Sequence, residues 1–251
     1  MNRIDKCEDV YEKLFGGKPA DLKTGNDPEM MMILQRFIFG EVFDIGELKE
    51  ADRELITVAC LATLQAIPQL KAHTQAALNV GNTPLTIREV IYQCAPFIGF
   101  PRTLNAIEAM NEVFEKNDIS LPLELGGTVK EEERYVKGLE IQAPIYGNEI
   151  KDKYAELPDG MGEALPRFLT ELCFGDFYTR KGLDKKQREL LMLCVLATLR
   201  ADTQILAHAI GNLKVGNSKA TMYGAMIQCL PYIGFPAVFE AINIIKDVEE
   251  V

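Results

Sequence analysis

His73 and His208 are the only two histidines in the chain, and each lies 19 residues after a glutamate, Glu54 and Glu189. Imidazole is the side chain whose unperturbed pKa lies nearest neutrality, and a carboxylate beside it orients the ring and raises its basicity. A helix, a sharp turn and a second, antiparallel helix would bring residues so spaced face to face, as general acid/base pairs. Gln69 and Gln204 precede the histidines by four residues and share their helical faces, so both are expected as polar groups of the same pockets. A plainer reading stands beside this one. A histidine at helical spacing also serves to satisfy a buried polar contact. Arg53-Glu54 and Arg188-Glu189 also fit simple surface or interface ion pairs.

The elements that must position these residues come as a repeat. An offset of 135 residues lays Arg53-Glu54-Leu55 on Arg188-Glu189-Leu190, Leu61-Ala62-Thr63-Leu64 on Leu196-Ala197-Thr198-Leu199, and Ala72-His73 on Ala207-His208. It also lays Val80-Gly81-Asn82 on Val215-Gly216-Asn217, Gln93-Cys94 on Gln228-Cys229, and Ile98-Gly99-Phe100-Pro101 on Ile233-Gly234-Phe235-Pro236. Roughly half of the positions from Arg53 to Ile107 are identical without a gap, which marks a duplicated structural unit. Phe39-Gly40 and Phe174-Gly175 extend it upstream. The stretch from Asn117 to Thr128, with Asp118, Pro122 and Gly126-Gly127, reads as the junction, and the units are expected to span 1–120 and 121–251. Lys130 to Gln142 opens the second with a charged amphipathic run.

Within each unit the apolar period is helical, as in Leu55, Val58, Ala59 and Ala62. Pro68, and Asp202-Thr203 in the matching place, predict a helix start just after one that ends near Ala66. Gly81-Asn82 reads as a stop, Thr83-Pro84 and Ser218 as starts, and Gly99-Phe100-Pro101 as a break followed by a new helix. An all-α array of helical hairpins is expected.

The net charge of -10 and the absence of basic blocks argue against nucleic acid or an anionic membrane as partner. No apolar stretch approaches the roughly 20 residues of a membrane span, and the polar, acidic start is unlike a signal peptide. A cytoplasmic protein is expected. Cys7, Cys60, Cys94, Cys173, Cys194 and Cys229 sit mostly in apolar helical patterns, as reduced core thiols would, and form no Cys-x-x-Cys pair. Cys94 and Cys229 superpose in the repeat. Cys60 and Cys194 are out of register by one position, so no shared role is expected for them.

These residues resemble the carboxymuconolactone decarboxylase family. The first unit carries its pattern as Arg53-Glu54-Leu55, Leu70-Lys71-Ala72-His73, Ala77-Leu78-Asn79-Val80-Gly81, Glu89-Val90 and Gly99-Phe100-Pro101, with Leu104-Asn105-Ala106 after it. The second copy extends the resemblance over most of the chain. It implies two tandem copies of the all-α module shared with alkyl-hydroperoxidase D, and self-association, here as three chains forming a six-module ring. In the hydroperoxidase branch a Cys-x-x-Cys pair carries electrons, but its two positions fall on Ala66 and Gln69, and again on Ala201 and Gln204. The decarboxylase branch lacks that pair and needs neither metal nor organic cofactor. It implies carboxy-lyase chemistry on a small lactone or organic acid, in which loss of carbon dioxide leaves an enolate for a histidine to protonate. Lys71 and Arg102 would hold a substrate carboxylate. Their counterparts are Leu206 and Ala237, while Tyr223, Gly224 and Glu240 replace Arg88, Glu89 and Asn105, so the second site is expected to be altered or inactive. Two rivals remain: an antioxidant thiol protein using an unpaired cysteine such as Cys60 or Cys94, and a non-catalytic scaffold binding a small ligand or partner.

Overall fold

The computed structural model describes residues 2–249, and among them no strand is found. The first unit holds α1 (Arg3–Phe15), α2 (Pro28–Gly40), α3 (Glu50–Leu64), α4 (Ile67–Asn79), α5 (Pro84–Ile98) and α6 (Phe100–Lys116). The second holds α7 (Arg134–Tyr146), α8 (Glu149–Tyr154), α9 (Met161–Phe168), a π-helical stretch (Leu169–Tyr178), α10 (Lys185–Leu199), α11 (Asp202–Lys214) and α12 (Lys219–Asp247). By length and composition alone α12 is apolar enough to cross a membrane. Gly234, with φ 79° and ψ 164°, breaks it into two helices, just as Gly99 (φ 82°) separates α5 from α6. Neither half reaches the roughly 20 residues of a span, and both contribute to the bundle core.

The two repeats are built around α3 and α10, whose near-continuous apolar sequences predict helices buried on every face. Every residue of α3 from Arg53 to Thr63 is buried, and so is every residue of α10 from Arg188 to Ala197. The two helices lie against each other, α5 of the first unit packs on α10, and α12 of the second packs on α3. One apolar cluster therefore draws Leu61, Ile91 and Met110 from the first unit together with Leu193, Met226 and Val238 from the second.

Both central helices end in one left-handed residue, Gln65 (φ 58°) and Arg200 (φ 56°), whose N–H groups return to carbonyls of the last turn. Their side chains are not glycine, so each turn carries a backbone cost of about 1 kcal/mol or more. The turn reverses the chain at once. With Pro68 or Asp202 opening the next helix, α4 runs back along α3 and α11 along α10. Upstream, α1 crosses α2, and α7 crosses the π-helical stretch, at glycines that allow no side chain: a Cβ on Gly40 would strike the Arg3 carbonyl, and one on Gly175 would lie 2.5 Å from that of Arg134. Arg3 and Arg134 stand four residues out of the 135-residue register, so α1 and α7 are structural counterparts that the sequence offset does not align.

Candidate active site

The hairpins bring each predicted pair together. His73 Nδ1 lies 2.8 Å from Glu54 Oε2, and His208 Nδ1 lies 3.0 Å from Glu189 Oε2. Both carboxylates are fully buried, and the imidazoles are nearly so. An ionised carboxylate only accepts hydrogen bonds, so Nδ1 carries the hydrogen and Nε2 is left to exchange protons. Among the described residues Nε2 of neither ring has a hydrogen-bond partner. The ring faces are covered across the unit boundary: Tyr232 of the second unit packs edge-on to His73 at 5.7 Å, and Phe97 of the first packs on His208 at 5.6 Å. Each site therefore takes an aromatic wall from the other repeat.

The arginines of the repeated Arg-Glu step do not pair with the glutamates. Arg53 is buried and donates to the carbonyls of Val42, Ile45 and Leu48 and to Gln228 Oε1 of the other unit. Arg188 donates to the carbonyls of Arg180 and Lys181 and to Gln93 Oε1. Burial lowers the pKa of both, that of Arg188 to about 10. The surface ion-pair expectation is thus corrected: each arginine clamps the loop that enters its central helix, and the glutamate follows it directly in the chain.

The carboxylates differ in their further partners. Glu189 Oε2 also accepts from the Tyr146 hydroxyl at 2.6 Å, and its Oε1 accepts from Tyr178 at 2.7 Å. Burial pushes the Glu189 carboxyl up, but the charge on His208 and the hydrogen bonds from His208, Tyr146 and Tyr178 outweigh it and hold the group below its usual pKa. Burial and the adjacent carboxylate keep both phenols protonated. In the first unit Phe15 stands against His73 and Phe39 as Tyr146 stands against His208 and Phe174, and the repeat sets Phe43 at the place of Tyr178. Neither ring bears a hydroxyl, and Glu54 Oε1 is buried without a partner.

The other expected site residues fall elsewhere. Gln69 and Gln204 lie one turn before the histidines, exposed and without a hydrogen bond among the described residues. Lys71 points to the far side of α4, where it pairs with Glu112 on α6 at 2.5 Å. Two residues along a helix are about 200° apart, so it cannot share the face of His73. Arg102 is exposed in a depression with Gln65 and Thr198, and no dyad residue lines it. Neither cation is placed to hold a substrate at His73. Glu89 is clamped by Arg88 (2.9 Å) and Arg180 (2.7 Å) beneath the linker. Its replacement by Gly224 therefore alters an inter-unit contact, where Gly46 and Leu48 approach, and not the second dyad. A cavity of about 510 Å³ between α7, α8 and α9 is lined by Gln142, Lys151 and Thr170 and does not reach His208.

All six cysteines are buried. Cys60 and Cys194, expected to be unrelated, both converge on Cys229, with Cys60 Sγ 3.5 Å from Cys229 Sγ, because α3 and α10 face each other across the repeat. The contact with Cys229 and then burial raise the pKa of Cys60, the contact with Cys194 and burial raise that of Cys229, and burial raises that of Cys194, so the sulfurs stay protonated and weakly nucleophilic at neutral pH.

The walls Phe97/Tyr232 and the clamps Gln93/Gln228 sat in the repeat, where they match at the same offset, but nothing in one sequence tells that they serve the other unit. Phe15 and Tyr146 left no such signal, lying out of register.

The sequence profile of the carboxymuconolactone decarboxylase family matches residues 28–112 and again 163–247. A 4-carboxymuconolactone decarboxylase of Acinetobacter baylyi is 23% identical over 120 residues, 48% of this chain and 90% of its own. A nitrosuccinic acid decarboxylase of Metarhizium robertsii is 25% identical over 105 residues, 42% of this chain and 73% of its own. An uncharacterized 15.0 kDa protein of Paracoccus denitrificans is 32% identical over 111 residues, 43% of this chain and 74% of its own. Each relative is matched by less than half of this chain, as a single repeat would be. The chain belongs to the carboxymuconolactone decarboxylase family and carries its module twice.

Proposed function

We propose that the chain releases carbon dioxide from a small organic acid or lactone whose carboxylate stands beside an electron-withdrawing group. The observation that carries this reading is the duplicated Glu–His dyad, with Nδ1 held by a buried carboxylate and Nε2 unpartnered. The names of two relatives, which describe decarboxylation of a carboxymuconolactone and of nitrosuccinic acid, support it. In the step, the bond from carbon to the carboxylate breaks and its electron pair stays on the substrate, delocalised into the activating group. The protonated imidazole then gives its Nε2 proton to that carbon and is reprotonated from solvent. Glu54 or Glu189 holds the ring through this cycle and stabilises the imidazolium. Free thiols throughout fit a reducing, cytoplasmic compartment. Phe100 and Leu104, exposed at the start of α6, recur as Phe235 and Phe239. These matched apolar faces support association of chains, with three making the six-module ring.

The test is carbon dioxide release from a panel of lactone, nitro and keto acids by the wild type and by His73→Gln, His208→Gln and the double variant. Release that the double variant lowers by about 10²-fold or more supports the reading. A second reading has its own observation: the imidazoles are almost enclosed. Variants that lose stability while retaining ligand binding, with no acid in the panel consumed by the wild type, would establish a structural role instead.

A further inference from the structure

The two dyads are not copies. A Cβ placed on Gly211 of α11 would lie 2.9 Å from Glu189 Oε2 and 2.9 Å from the Tyr146 hydroxyl. The tyrosine oxygen and a methyl at position 211 therefore exclude each other. The first unit shows the opposite solution, with Ala76 at the matching position of α4 and Phe15 in the place of Tyr146. A glycine inside a helix weakens it relative to alanine, so the second unit maintains the hydroxyl at the expense of helix stability. That hydroxyl also lies 2.9 Å from His208 Nδ1. His208 thus shares its carboxylate with two phenols, whereas among the described residues Glu54 has His73 as its single partner.

We propose that the chain contains two unlike acid/base centres, and that Tyr146, admitted by Gly211, is the positioning residue that sets the second apart. A carboxylate whose lone pairs are divided among three donors polarises its imidazole less than one serving a single donor. Nε2 of His73 is then the more electron-rich nitrogen, and the two sites transfer protons at different rates. The catalytic half of this statement rests on the decarboxylase reading; the difference between the imidazoles does not.

Acylation of the two imidazoles separates the inequality of the centres from the decarboxylase reading. Diethyl pyrocarbonate acylates imidazole nitrogen, and with only two histidines in the chain each adduct is assigned by peptide mass spectrometry. The side chains are 10% and 12% exposed, so access alone gives nearly equal rates or favours His208. The expected result is acylation of His73 faster by about threefold or more, with Tyr146→Phe/Gly211→Ala, which installs the first-unit residues at these two positions and leaves Tyr178 as the one phenol on Glu189, narrowing the two rates to within about twofold. Gly211→Ala alone should lower the melting temperature by crowding Glu189, and the double variant should restore it, which shows that the paired exchange folds. Equal rates in the wild type, or a ratio untouched in a folded double variant, overturns the proposal. In the His73→Gln background the double variant should also raise carbon dioxide release. If no acid is consumed by any form while the acylation ratio behaves as stated, the decarboxylase reading fails and the inequality of the two centres stands.

Discussion

At the scale of single residues, the proposed chemistry rests on a carboxylate that has left water in order to hold one imidazole nitrogen. Glu54→Gln and Glu189→Gln keep the shape and remove the charge. Each should lower kcat at its own site by about 10²-fold with little change in KM, measured with the opposite histidine replaced by Gln. Lys71→Met, by contrast, should leave kcat/KM within about twofold, because the ammonium is engaged with Glu112 on the far side of α4. The depressed pKa of Glu189 also makes a stability prediction. A carboxyl that is more acidic folded than unfolded contributes stability above its unfolded pKa, near the ordinary 4.5, and that contribution disappears as pH falls through the lower folded value. Urea unfolding followed downward from about pH 6 should show an acid limb that is shallower in Tyr146→Phe, which removes one of the donors holding the carboxyl down. The pairs Glu54–His73 and Glu189–His208 were legible in the sequence because the repeat superposed both members. Lys71 was misplaced because charge was weighed without helical phase, and Arg102 because one sequence does not tell which depression the start of α6 borders.

At the scale of elements, each dyad depends on the loop before its central helix and the turn after it. The turn at Gln65 or Arg200 sets the distance between the glutamate and the histidine, and the buried arginine sets the rotation of the helix that carries the glutamate. Arg188→Met leaves the carbonyls of Arg180 and Lys181 and the Gln93 amide oxygen without their donor inside the protein. A buried acceptor without a partner costs about 1 to 3 kcal/mol. Urea denaturation should therefore show a loss of roughly 3 kcal/mol, and slackening of α10 should lower activity at His208 more than at His73. Helix starts at Pro84 and Ser218 and the break at Gly99 were readable, since proline, serine and glycine act locally. The left-handed ends at Gln65 and Arg200 were not: neither residue type announces that conformation, and only the antiparallel packing of the next helix compels it. The α1 and α7 aromatics escaped for a related reason, because unequal loops shift those helices out of the repeat register while the fold restores their places.

At the scale of the whole molecule, the duplication is two-way. Tyr232 walls the first site and Phe97 the second, Gln228 clamps Arg53 and Gln93 clamps Arg188. Neither repeat holds both a dyad and its cross-boundary aromatic wall, and the sequence offset could show the duplication but not this exchange. The linker is tied to the same boundary: Arg88 donates to the Glu124 carbonyl, and a Cβ on Gly126 would lie 2.7 Å from Glu89 Oε1, so that glycine lets the chain run directly over the Glu89, Arg88 and Arg180 cluster. Covalent continuity contributes mainly a high effective concentration, about millimolar for a short tether, while the apolar faces of α3, α5, α10 and α12 supply the attraction. A protease site placed at Ser120 and cut in the folded protein should therefore leave both halves eluting as one species at micromolar concentration, with both histidine sites still active. Either half expressed alone should expose the buried face of α3 or α10 and aggregate, with no activity until the other is refolded with it. Separation of the cut halves into two soluble, active species would show instead that each repeat completes its own site, and the cross-boundary walls would then be dispensable.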